Sequence, residues 1–578
     1  MDPMLLRRRR LVRTSRPAPR NRCLSLVFLF LILCLEVKLV RAAAPRDALN
    51  AGLVGHWRLQ GDCRDYSRNG NHGANHGCDL AAEGPSGKPG TAARFDGRGA
   101  YIQVPHSASL ALGRGDFSIA AWLHTERELD DVIGDIASKY DPHTRRGFNL
   151  SVMHHAGMTS STSNYRNVHF GIDDARLSPW QDCGRPGEAA FVSAMAVHGD
   201  NLYVGTYEHG ADRAGHVYRY DGDGRWTDCG SPDGANAVMT LCPHEGMLFA
   251  GTACYRARGS LLPDSPNTTP GGRVYRYLGG TRWAECGRLG EANEVYALAV
   301  LRGTLYGIPM YSPGVFRLDG ENTWTYCGTP GDNRSMALSV WNGSLYVTGN
   351  GGAGVWRYLG GAEWDDCGRQ AEETQTYSVA IHRGDMYVGT WPNGSVWRYQ
   401  GGTEWLNCGR LGEEKEVMAM AVYNGKLYCG TLPSGNVYRH DGDDDWTLVG
   451  ELDRTPDVRY RRVWTMAVYN GKLFAGTLPS GHVHCMEAGA MATVDRELPP
   501  GWHHLAAVKS GDRLRVYLDG QLAAESTPLG PPEYDLADNE PLNIGFGAHD
   551  RLSGLLSDVR LYGRALSSAD ARALFEGR

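Results

Sequence analysis

Residues 226–230 read "WTDCG", and near-copies of this stretch punctuate the middle of the chain. "WQDCG" begins at 180, "WAECG" at 283, "WTYCG" at 324, "WDDCG" at 364 and "WLNCG" at 405. A seventh copy, "WTLVG" at 446, has Val449 in place of the cysteine. Successive tryptophans are 46, 57, 41, 40, 41 and 41 residues apart. Between them runs a longer phrase, such as "VMAMAVYNGKLYCGTLPSGNVYRHDGDDDW" from Val417 to Trp446. Each unit holds four short strand patterns separated by turn signals, among them Asn-Gly at 342, 424 and 470. Four antiparallel strands every forty-odd residues is the pattern of propeller blades.

The third strand fixes the blade number. It occurs seven times: "VYRY" at 217 and 274, "VFRL" at 315, "VWRY" at 355 and 396, "VYRH" at 437 and "VHCM" at 483. The last unit stops after its third strand, and the first is preceded by an extra Trp strand at 180. The Trp180 strand is therefore expected to complete blade seven and leave no free edge. The general layout resembles Kelch-like propellers. One cysteine per blade at an equivalent position reads as a ring of buried free thiols, since the blades stand too far apart for bridging. Metal-ligand spacings of the CxxC type do not occur. Cys242 and Cys254 lie in one blade and remain a candidate disulfide.

The flanks carry different motifs. "DYSRNGNHG", "FDG" and "DFSIAAW" precede the repeats; "WHHLA", "VYLDG" and "SDVRLYGRAL" follow them. In this order they resemble the two halves of one laminin-G-like (concanavalin-A-like, pentraxin-like) jelly roll. The expected fold class is all-β: a β-sandwich jelly roll in two sequence halves with an inserted seven-bladed propeller. The expected organisation is a signal peptide at 1–44, first jelly-roll half at 45–176, propeller at 177–486 and second half at 487–578. Insertion at the start of a Trp strand and exit after a third strand place both ends on one face of one blade. The jelly roll is expected below the ring, with the opposite face free.

The leader has eight arginines between Arg7 and Arg22, then an apolar run from Cys23 to Val37 and "VRAAAP". This reads as an export signal, with an uncleaved membrane anchor as the alternative. Residues 1–44 take ten of the 59 Lys and Arg and two of the 65 Asp and Glu, leaving 49 against 63, a net charge of −14. So acidic a body, without basic clusters, excludes nucleic acid and anionic membrane as partners. Glycans or extracellular proteins are the expected partners.

Candidate ligand residues lie on the free face. The position before each first strand reads Phe191, Glu294, Arg334, Gln375, Glu416 and Arg462, with Asn236 near it in blade two. The loops joining second and third strands add Tyr207, Tyr255, Tyr311 and Trp391, whose rings suit stacking on sugars. The long blade-two loop from Ala253 to Arg273 could close as a lid. The jelly-roll resemblance implies a calcium site at Asp558, with Asp96 as a second candidate. Cys63 and Cys78 are expected to pair in an exported protein.

The innermost strands, such as "VSAMAV" and "VYALAV", carry no acid, and no serine elbow, zinc motif or P-loop is present. The expectation is a secreted, non-catalytic recognition protein binding carbohydrate or matrix through the jelly roll, with the propeller as a second platform. Two alternatives stand beside it: a carbohydrate-active hydrolase or lyase using Glu294 and Glu416, and a cell-surface scaffold.

Overall fold

The repeated tryptophan earns its place by joining one blade to the next. In the computed structural model, which describes residues 49–577, each Trp indole N–H donates to a backbone carbonyl in the preceding blade. Trp226 bonds Cys183, Trp283 bonds Cys229, Trp324 bonds Cys286 and Trp364 bonds Cys327. Trp405 bonds Cys367, Trp446 bonds Cys408 and Trp180 bonds Val449, all within 2.7–3.0 Å. The seven bonds form a closed cycle, so the sheets form a ring. The acceptor is a main-chain oxygen, which explains why valine serves as well as cysteine at 449. The cysteine side chains are free and buried, as a packing role requires.

Each of the seven blades has four antiparallel strands; five are separate sheets, and blades one and two join into one eight-stranded sheet where Tyr207 opposes Ala237. Six blades are continuous in sequence, for example Glu416–Tyr423, Lys426–Leu432, Asn436–Gly442 and Asp445–Glu451. The seventh pairs Gln181–Asp182 from the start of the insert with Val483–Met486 from its end; Gln181 opposes Cys485. The regular third-strand arginine pairs with a carboxylate of its own blade in five of its six occurrences, such as Arg317 with Asp319 at 2.8 Å and Arg439 with Asp441 at 2.7 Å.

The sandwich consists of two sheets, each drawing strands from both sides of the insert. One contains Phe117–Thr125 between Ser553–Tyr562 and Gly501–Ser510. The other ends in Gly134–Asp141, Arg146–Met158, Ser161–Leu177 and Ala488–Val494. Trp57, Phe95, Phe117, Phe148 and Phe170 fill the space between them. The leader expected at 1–44 lies outside the described residues.

Two features go beyond the sequence expectation. First, strands Arg146–Met158 and Ser161–Leu177 are 13 and 17 residues long, too long for the sandwich alone. Their distal halves enter the ring axis, so the channel is filled by a hairpin of the jelly roll. Small and hydroxyl-bearing residues make this fit. Thr159 at the hairpin turn donates to the carbonyls of Met418 (2.5 Å) and Trp464 (2.8 Å). Ser160 donates to Ser193 and Thr162 to Leu298, while the Ala156 carbonyl accepts from Ser339. Ser193, Met418 and Trp464 sit at bulges in the first strands of blades one, six and seven. A bulge removes its residue from the ladder and frees the carbonyl for another partner.

Second, all seven turns between first and second strands dock on the sandwich. The N–H groups of Asp200 and Asn470 reach the Asp495 carbonyl and carboxylate, and Gly246 reaches Glu497. Arg302 reaches Leu129, Gly343 reaches Asp130 and Arg383 reaches Ala548, while the Asn424 side chain bonds Ile172. The sandwich therefore covers one whole face of the ring.

Cys63 and Cys78 are free, buried thiols here and not the expected disulfide. Burial pushes Cys63 up to about 11, and burial with the neighbouring Cys63 pushes Cys78 up to about 12.

Candidate functional site

The uncovered face of the ring holds a cavity of about 570 Å³, within the range of small-ligand sites. Its base is the ion pair of Glu416 and Arg462, 3.0 Å apart and buried on first-strand termini of adjacent blades. Burial pushes Glu416 above the usual carboxylate range against the pull of Arg462. Burial alone would lower Arg462, but the Glu416 carboxylate outweighs it and holds the guanidinium above its ordinary value. Both effects reflect a pair removed from water, where breaking either partner leaves an uncompensated charge.

The blade-two loop closes one side. It contains a 3-10 turn, Ala257–Ser260, and Ser260 accepts a 2.7 Å hydrogen bond from Arg462 across the ring. Tyr255 shares a 2.6 Å hydrogen bond with the same hydroxyl. Aromatic walls rise opposite: Tyr377, Trp391, Tyr460 and Trp464 from blades five and seven, and Tyr311 from blade three. Trp391 and Tyr460 approach edge-on with centroids 6.4 Å apart.

The structure brings seven of the eleven sequence candidates into this cavity: Tyr255, Tyr311, Arg334, Gln375, Trp391, Glu416 and Arg462. The other four support it from outside the lining. Phe191 is fully buried, with its ring 4.6 Å from Trp464. Asn236 and Tyr207 fasten the loop, Asn236 through both backbone groups of Tyr255 and Tyr207 through the carbonyl of Pro263. Glu294 is buried and accepts the N–H of Tyr311 at 2.9 Å. The loop covers blades one to three, so equivalent positions there become interior. Tyr377 and Trp464 were missed. Each lies two residues beyond a candidate, Gln375 or Arg462, and alternation along a strand returns it to the same face.

The calcium candidates do not fit a calcium ion. Asp96 Oδ1 accepts the N–H groups of Arg98, Gly99 and Ala100, each at 2.9 Å, which is a turn cap. Asp558 is bound by His56 Nε2 at 2.6 Å and by Arg560 at 2.9 Å. Despite burial, His56 and Arg560 hold its carboxyl down at about 2. Calcium takes six to eight oxygens; here the His56 ring nitrogen and the Arg560 guanidinium occupy this carboxylate instead. Among the described residues no cluster of three or more His, Cys, Asp or Glu could hold a metal ion. A broad depression of about 1030 Å³ lies beside Asp558, edged by Tyr66 and Trp122.

Residues 477–572 match the Laminin_G_3 family, described as the concanavalin A-like lectin/glucanases superfamily. The second half of the sandwich is similar to these proteins. No curated protein matches the chain in sequence. Among solved structures, a catalytically inactive virginiamycin B lyase from Staphylococcus aureus, bound to quinupristin, is 10% identical, with 54% of this chain and 99% of that one covered and a TM-score of 0.42. YCF48 bound to D1 peptide is 12% identical, with 54% and 98% covered and a TM-score of 0.39. The WD40 β-propeller domain of Doa1 is 12% identical, with 55% and 97% covered and a TM-score of 0.37.

Proposed function

We propose that the chain is a secreted recognition protein that holds a saccharide in the propeller mouth without cleaving it. The observation that carries this reading is the cavity: about 570 Å³, walled by flat aromatic rings and floored by a locked ion pair. Aromatic faces offer sugars apolar contact with little entropy loss, and few polar groups set orientation. Both carboxylates on its lining are neutralised, Glu416 by Arg462 and Asp264 by Arg258, whereas glycoside hydrolysis needs an acid and a base free to act. The depression beside Asp558 is the second binding surface of this proposal, on the laminin-G-like sandwich.

The test uses a chain beginning at Pro45, screened on a panel of oligosaccharides with product release assayed in the same wells. Binding without products, abolished in Trp391→Ala and unchanged by EDTA, is the expected result. A hydrolase or lyase is the second reading, favoured by the raised carboxyl of Glu416 inside a cavity. Products that vanish in Glu416→Gln would establish it and overturn the first.

A further inference from the structure

The mouth's unanswered charges give the sign of the ligand. Four arginines line the cavity: Arg256, Arg258, Arg334 and Arg462. Arg258 is held by Asp264 and Arg462 by Glu416. These take up both lining carboxylates. Arg334 and Arg256 form no ion pair among the described residues. Arg256 lies over the Tyr311 ring, 4.7 Å from its centroid, which leaves its N–H groups free at the rim. Arg334 stands half-buried on the wall between blades three and five.

The uncharged groups lean the same way. Gln375 Oε1 already accepts from Asn350 Nδ2 at 3.2 Å and from the Tyr377 hydroxyl. What this side chain has left to offer is its N–H₂. The Trp464 indole N–H at the floor is buried without an acceptor, a costly state unless something supplies one. Both lining carboxylates are ion-paired, while Arg334 and Arg256 are not, although the charge of Arg256 acts on the buried Glu294 carboxyl behind the lining.

Resting on the saccharide reading above, we infer that the mouth selects an acidic sugar, its carboxylate or sulfate seated against Arg334 and Arg256. A bidentate guanidinium suits either group. Residues 45–578, the mouth included, carry a net charge of −14 and as a whole repel anions. The mouth is thus a local exception in the field, which favours one docking point.

Calorimetry on the chain from Pro45 tests this with three ligands of equal length and linkage: an oligogalacturonate, a sulfated oligogalactose and the neutral oligogalactose. One or both acidic ligands should bind about tenfold tighter or more than the neutral one, the worth of one charge-assisted hydrogen bond. The preference should shrink as salt is raised. Arg334→Gln should shrink or remove the difference between acidic and neutral ligands, read as the ratio of the two affinities in the same variant; Arg334→Lys should restore part of that ratio. Comparison of the carboxylate and sulfate arms identifies the acid group. Equal affinity for neutral and acidic ligands, or a preference untouched by Arg334→Gln, overturns the inference and leaves the saccharide reading standing. Binding of none of the three overturns both.

Discussion

Replacing Gly157 by alanine tests the channel hairpin where it lies between two blade walls. Gly157 has φ +88°, and a Cβ there would lie 3.1 Å from the Leu338 carbonyl oxygen, 3.1 Å from Ser339 Cβ and 3.2 Å from Val379 Cβ. Two of these belong to one blade wall and the third to the next. Neither wall can retreat, because the inter-blade tryptophan bonds hold the ring closed. Two costs add. The left-handed backbone costs an L-residue about 1–2 kcal/mol, and overpacking a tight site costs about 1–3 kcal/mol. The sum is about 2–5 kcal/mol. Gly61 supplies the control: its φ is +78° and nothing lies within 4 Å of its Cβ position. Gly61→Ala should cost only the backbone share, about 1–2 kcal/mol. Urea unfolding would measure both, and hydrogen exchange over residues 153–167 would locate the effect. Gly157→Ala should be the worse of the two and should lose protection in that hairpin first. Equal destabilisation, with the hairpin still protected, would refute the claim that it is wedged in the ring.

Thr159→Val keeps the shape at the hairpin turn but strips the donor from the buried carbonyls of Met418 and Trp464; a loss of about 1–3 kcal/mol is expected in urea melts, with Thr159→Ser close to wild type. Trp364→Phe removes one bond of the inter-blade cycle and should cost about 0.5–1.5 kcal/mol, whereas Cys327→Val should cost less, since Val449 already fills the equivalent place. His154 is buried with neither ring nitrogen bonded, and burial holds it down at about 3. Its folded value lies below the unfolded one, so its contribution is present above about pH 6.5 and lost as pH falls below that. Asp131 and Asp135, raised by burial to about 7, act oppositely and gain stability over the same fall. His154→Phe should therefore reduce the destabilisation between pH 7 and pH 5 by about 2 kcal/mol, read from urea midpoints.

The ring was legible because its units repeat: a Trp, a cysteine and a valine-aromatic third strand recur at fixed spacing, and repetition averages out local ambiguity. The hairpin was not. "HHAGMTSSTSNYR" from His154 to Arg166 alternates neither apolar with polar nor large with small, because channel walls surround it on all sides. Period-two patterning arises only where one face meets water and the other a core. The mouth was legible where its residues begin a first strand in an open blade, as Gln375, Glu416 and Arg462 do. It misled at Phe191 and Glu294, which hold equivalent sequence positions but lie under the blade-two loop. Sequence register fixes where a side chain starts; what covers it depends on a loop packing from another blade.

Propeller and sandwich are tied by one ribbon, and this bears on how the chain folds. Leu177 opposes Ala488 in the sandwich, and Gln181 opposes Cys485 in the ring. Between them Ser178 donates its N–H to the Glu487 carbonyl, and Glu487 donates to the Ser178 hydroxyl, both at 2.8 Å. Residues 483–494 therefore close the ring with their first part and complete a sandwich sheet with their second. The hairpin at 146–177 must already be in place when that happens, since a closed ring leaves it no lateral way in. Ring closure and sandwich completion are two consequences of one pairing event, and both require the channel to be filled first. A single cooperative transition follows: tryptophan fluorescence, which reports mainly on the propeller, and hydrogen exchange of Phe117–Thr125 in the sandwich should lose structure at the same denaturant concentration. If the sandwich strand exchanges freely while the tryptophans remain native, the two bodies fold separately and the ribbon is only a tether.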